Sequence, residues 1–160
     1  MLYGDDHCFG VVAPKGWALD DSSGLGSKIR VVMYPAGQKW GTAPTVMYVN
    51  PIHQDKERKK TLDEVIAQDV TAFMKSSPQG KVTVAPPVTT EKGQHAEVRY
   101  FAPLGHEPEE AVAYVMERSL VMLIVLSSRE VGGFQRTLPT FRDMVASYQF
   151  VAGDIKTPTH

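Results

Sequence analysis

The sequence predicts a mixed α/β fold of the α+β kind, an antiparallel sheet with helices packed against it, and three observations carry that reading. Leu120 to Leu126 is apolar at every position, which suits a strand buried on both faces in the middle of a layered sheet. Leu62, Val65, Ile66, Val70, Phe73 and Met74 recur at helical spacing and form one apolar face. Several strand-like stretches separated by turn residues follow that helix, in the order of an antiparallel meander.

From the start of the chain, Phe9 to Ala13 reads as a short strand stopped by Pro14-Lys15-Gly16, and a second strand begins at Trp17. Residues 20–26 are turn formers without periodicity and predict an exposed loop. Ile29 to Tyr34 reads as a strand ended by Pro35. Thr45 to Val49 reads as another, bounded by Pro44 and Pro51, which cannot donate ladder hydrogen bonds. The Gly37 to Ala43 stretch between them is a loop or wide hairpin carrying Trp40.

The helix is expected from Leu62 to Lys75, with Thr61 and Glu64 spaced as a capping box and Ser76-Ser77-Pro78 ending it. Lys81–Ala85, Glu97–Ala102, Ala111–Arg118 and Leu120–Ser127 supply the meander. Phe134, Leu138, Phe141, Val145 and Tyr148 share a helical stripe that Pro139 interrupts. A turn through Phe134 and a helix from Pro139 to Ser147 is the expected solution, because proline is acceptable in a first helical turn. The length predicts a single domain over residues 1–152 that buries about two-thirds of the surface of its unfolded chain, with a flexible tail over 153–160.

An opening of the form Phe9-x-Val11-x-Ala13-Pro14-x-Gly16-Trp17, a meander, and a Phe-rich terminal helix closing on Ser147-Tyr148-Gln149-Phe150 together resemble the Mog1/PsbP-like family. The likeness covers the order of elements across nearly the whole chain. It implies an α/β/α sandwich, a central antiparallel sheet flanked by helices, and a binding or assembly module rather than an enzyme. It also implies an extracytoplasmic location, periplasmic or secreted. No catalytic motif comes with the family, so no site residue is carried over from it.

Composition narrows function. Seventeen basic residues against 18 acidic ones leave a net charge of −1, which gives no broad positive field to hold nucleic-acid phosphates. Lys56-Glu57-Arg58-Lys59-Lys60 is read as a solvated linker entering the helix. A lone cysteine excludes an intramolecular disulfide and thiolate zinc clusters. The longest apolar run, Leu120–Leu126, is far short of the roughly 20 residues of a membrane-spanning helix, and the residues after Met1 lack the basic start and apolar stretch of a leader. A soluble chain without a membrane span is expected.

Two constellations stand out. Asp5, Asp6, His7 and Cys8 form the densest set of potential metal ligands, although neighbours on an extended chain point to opposite sides and converge only in a turn. Tyr34, Trp40 and Tyr48 lie near loops and strand ends, where aromatic side chains anchor interfaces; as ordinary sheet residues they would serve packing instead. A concave face between the sheet and the Gly37–Ala43 loop is the place for a ligand. His53 with Asp55, and His106 with Glu107, could contribute to a site assembled from distant loops. No Gly-x-Ser-x-Gly elbow, phosphate loop or dinucleotide fingerprint is present. The expectation is a non-enzymatic module without a cofactor that binds a protein partner or small ligand. The alternative is a small hydrolase or metal-dependent enzyme using dispersed His, Asp and Ser residues, which a cleft of converging titratable side chains would favour.

Overall fold

In the computed structural model, which describes residues 2–3, 8–27, 29–55, 57–118 and 120–152, the first half of the chain runs β1 (Leu2–Tyr3), β2 (Cys8–Gly10), β3 (Trp17–Asp20), β4 (Val31–Pro35), β5 (Thr45–His53) and α1 (Leu62–Ser76). The second half runs β6 (Lys81–Thr89), β7 (His95–Ala102), β8 (Glu109–Met116), β9 (Leu120–Ser128), α2 (Gly133–Ala146) and β10 (Gln149–Ala152). Seven strands form one antiparallel sheet in the order β3-β4-β5-β9-β8-β7-β6. β1, β2 and β10 form a second, three-stranded sheet.

β9 lies at the centre, paired along its length with β5 and β8, and this explains its unbroken apolar sequence. Successive side chains of a strand face opposite ways. Leu120, Met122, Ile124 and Leu126 enter one core with Phe134, Phe141, Met144 and Val145 of α2. Val121, Leu123 and Val125 enter another with Val65 and Ile66 of α1. The two helices thus cover opposite faces, giving the expected α/β/α sandwich.

α1 begins as its capping box dictates. The Glu64 amide donates to Thr61 Oγ1 at 3.2 Å, and the Thr61 amide donates to Glu64 Oε2 at 2.8 Å. Asp63 and Glu64 in the first turn and Lys75 in the last complement the helix dipole.

Local rules are overridden at three places where proline falls inside an element. α2 does not begin at Pro139 but runs from Gly133 with Pro139 inside it. Phe134 before the proline and Phe141 after it are both buried in the same core, and that burial outweighs the roughly 3 kcal/mol a helix-interior proline costs. Pro139 is exposed, and so is Gln135, the residue whose carbonyl loses its helical donor. β5 runs past Pro51 to His53, where β4 no longer pairs with it and an amide is not needed on that side. β6 runs on through Pro86-Pro87 by a register shift between Ala85 and Val88. There the Arg142 guanidinium of α2 donates to the Pro86 carbonyl at 2.9 Å and the Pro87 carbonyl at 3.0 Å.

The opening strand is shorter than its sequence suggests and joins the small sheet rather than the meander. Phe9 stands opposite Phe150 of β10, so the residues after α2 form a strand, and the Val12 amide donates to Ser147 Oγ at 3.0 Å. The expected tail, 153–160, lies outside the described residues.

Candidate functional site on the helix α1 face

The alternation that builds the α1-side core also places polar groups in it. Tyr48 of β5, Val125 of β9 and Val112 of β8 stand in one row across the sheet. Glu110 and Tyr114 flank Val112 on the same face, because they lie two residues to either side of it on β8. Asp69 reaches this face from α1, where it falls three and four residues after the buried Ile66 and Val65.

These groups engage one another. The Tyr114 ring is fully buried, and its hydroxyl donates a hydrogen bond to Asp69 Oδ2. Burial, the Asp69 hydrogen bond and the Asp69 charge hold Tyr114 well above the usual phenol range. Burial, then the charges of Glu110 and Asp69, does the same for Tyr48. Burial pushes the Glu110 carboxyl up; the Ser127 hydroxyl that donates to it opposes this, the Asp69 charge adds to it, and Arg129 counters with the smallest effect. Both phenols are therefore neutral near pH 7, and Tyr114 acts as a hydrogen-bond donor.

Two cavities open beside this strip. One, of about 450 Å³, lies between α1 and the end of β5. Ile52, Val65, Ala72 and Leu123 give it an apolar floor, and His53, Asp55, Arg58, Lys60 and Asp69 a rim of both charges. Arg58 and Lys60 of the basic run thus stand on this rim, just before α1. Lys60 Nζ donates to Gln68 Oε1 at 2.9 Å, while Gln54 brackets the Lys60 backbone, accepting from its amide at 3.1 Å and donating to its carbonyl at 3.2 Å. The other cavity, of about 380 Å³, lies at the far end of α1 against the β7–β8 loop.

Of the aromatic trio expected as partner anchors, Trp40 and Tyr48 come together, rings edge to face with centroids 6.1 Å apart, and both are half-buried. Tyr34 lies on the same sheet face but turns to Asp20, donating to Oδ2 at 2.8 Å. Asp20 also accepts from Ser22 and Ser23, at 2.8 Å and 2.9 Å from their amides. Those bonds, Ser23 foremost, hold its carboxyl well below the usual range.

Of the expected metal set, Cys8 is buried in β2, while Asp5, Asp6 and His7 lie outside the described residues. Among the described residues no three His, Cys, Asp or Glu side chains are grouped as metal ligands, and no helix is long and apolar enough to cross a membrane. Asp69, Glu110 and Tyr114 were not singled out by sequence reasoning. The available signal was an acid on the apolar stripe of α1, since a polar residue at a core-facing position requires a partner.

No protein-family model matches this chain, and no curated protein does. Among solved structures it is similar to cyanobacterial PsbP (CyanoP) of Synechocystis sp. PCC 6803, with a TM-score of 0.55 and 13% identity over 92% of this chain and 95% of that one. The fold is PsbP-like. A Pseudomonas aeruginosa protein of unknown function, PA94, described as a candidate regulator, matches with a TM-score of 0.51 and 10% identity over 98% of this chain and 88% of that one. The PsbP-like fold fits the sheet with a helix on each face.

Proposed function

We propose that this chain is a non-enzymatic binding or assembly module of the Mog1/PsbP-like kind, which holds a protein partner on the α1 side of its sheet, beside Trp40 and Tyr48. The observation that carries this reading is the half-buried Trp40–Tyr48 pair on the sheet face that also carries the 450 Å³ cleft with its apolar floor and mixed-charge rim. Rigid aromatic anchors beside an apolar centre with a polar edge are what protein interfaces use. The polar groups nearby support the same reading. Asp69 is engaged by Tyr114, Glu110 by Ser127 and Asp20 by Tyr34, so these carboxylates brace the fold, and the raised phenols are neutral rather than bases.

Photo-crosslinking tests the proposal. A benzophenone amino acid at Gln38, beside Trp40, is expected to give a discrete adduct in cells that Trp40→Ala removes while the fold stays intact. The same probe at Arg136, on α2 across the sheet, should give none. Equal adducts from both positions, or an adduct indifferent to Trp40→Ala, would overturn it.

One observation favours the alternative of a small hydrolase: Glu110, its carboxyl raised by burial, shares a face with the Asp69 carboxyl, and acid–base pairs are tuned in that way. Turnover of an ester or glycoside panel, lost in Glu110→Gln, would establish it in place of the module.

A further inference from the structure

The cavity at the far end of α1 has a consistent chemical character. Its charged lining consists of Glu107 and Glu110, and among the described residues no Lys, Arg or His borders it. Phe73 of α1 and Phe101 of β7 supply its aromatic wall, packed edge to face with centroids 5.2 Å apart. Gly80 leaves room for the Phe73 ring, since a Cβ there would lie 2.7 Å from it. Ser76 and Ser77 bring the C-terminal end of α1, with its partial negative charge, to the same opening. Lys75, the basic residue of that last turn, does not line it.

The geometry points to a binding site for an organic cation, an alkylammonium or guanidinium group, seated against Phe73 and Phe101 with Glu110 as its inner counter-ion and Glu107 at its mouth. Aromatic faces attract cations through the ring quadrupole. Carboxylates and the helix end add Coulomb attraction in a partly water-excluded space. The volume, about 380 Å³, admits a lysine- or arginine-sized group. Within the protein Glu110 faces Asp69 of α1, Tyr48 of β5, Tyr114 on its own strand, Ser127 of β9 and Arg129 beyond it. Of these only Ser127 and Arg129 favour its ionised form, Arg129 the less, and Arg129 is the one cation among them, so a cation in the cavity would add counter-charge. This inference stands apart from the partner surface at Trp40.

The test is a backbone amide NMR titration of the full chain with n-pentylammonium and agmatine, using 1-pentanol as the neutral isostere. Saturable shifts are expected at Phe73, Ser76, Phe101 and Glu107 with the cations and not with the alcohol. Glu110→Gln should weaken binding about tenfold or more, and Glu107→Gln less, because its carboxylate is exposed and screened. Phe73→Leu, which keeps an apolar side chain but removes the ring face, should weaken it several-fold and serves if the Glu110 variant fails to fold. Calorimetry in buffers of different ionisation enthalpy gives an independent readout, since a cation that favours the ionised Glu110 expels its proton. N-acetyl-lysine and N-acetyl-arginine methylamides separate two sources: binding of these marks a partner's side chain as the natural occupant, and binding of the free amines alone marks a small ligand. Equal shifts with 1-pentanol, or cation affinities unchanged in both Glu110→Gln and Phe73→Leu, would overturn the assignment.

Discussion

Replacing Tyr114 by Phe removes one oxygen and keeps the buried ring, so it isolates the hydrogen bond that ties α1 to the sheet. Hydrogen bonds to charged groups contribute about 1.5–3 kcal/mol net. Asp69 lines the 450 Å³ cleft and is only half-buried, so water can replace the lost donor and the low end applies. A loss of about 1.5 kcal/mol, or roughly 3–6 °C in Tm for a chain of this size, is expected. α1 depends on this tie because, of its apolar stripe, only Val65 and Ile66 are buried. A double-mutant cycle with Asp69→Asn, followed by chemical denaturation at pH 7, measures the coupling. Asp69→Asn alone also relieves the repulsion that Asp69 exerts on Glu110, and the cycle removes that contribution. A coupling near 1 kcal/mol is expected. Tyr114→Phe and Asp69→Asn effects that add within 0.3 kcal/mol, the usual scatter of independent sites, would refute the view that this bond anchors α1.

Three further outcomes follow from the same structure. Arg142→Ala should cost about 1–2 kcal/mol by chemical denaturation, because its fork satisfies two proline carbonyls at the β6 bulge, and Arg142→Lys should not restore the loss, lacking that fork. Pro139→Ala should stabilise the protein by roughly 1–2 kcal/mol, since it restores a backbone donor at an exposed position inside α2; a thermal melt with no gain would mean that the helix is already accommodated around the ring. Burial raises the folded-state pKa of Glu110 above its ordinary 4.5, so the folded state binds that proton more tightly than the unfolded chain does. Stability contributed by this group is therefore lost as pH rises through the window above 4.5. Glu110→Gln cannot ionise, and its stability relative to the parent should improve as pH rises across that window; a difference independent of pH would count against the burial of this carboxyl.

Much of the architecture was legible locally. The α1 boundaries came from a capping box and an apolar stripe, both of which act within a few residues, and the observed helix, Leu62–Ser76, exceeds the expected one by a single residue. The central place of β9 was legible because only a strand covered on both faces tolerates apolar residues throughout. The aromatic pair Trp40 and Tyr48 could be named as anchors, but not that Tyr34 would turn to Asp20, a choice made by the pairing of β3 with β4.

The sequence by itself determined the class of fold, the limits of α1 and the meander, since hydrophobic period and capping are properties of neighbouring residues. Tertiary structure alone decided where prolines yield and which polar groups meet. At Pro139 the shared core of Phe134 and Phe141 outweighs a local penalty. At Asp69, Glu110, Tyr48 and Tyr114, residues from one helix and two strands converge because sheet register, fixed over long separations, places them on one face above Val112 and Val125.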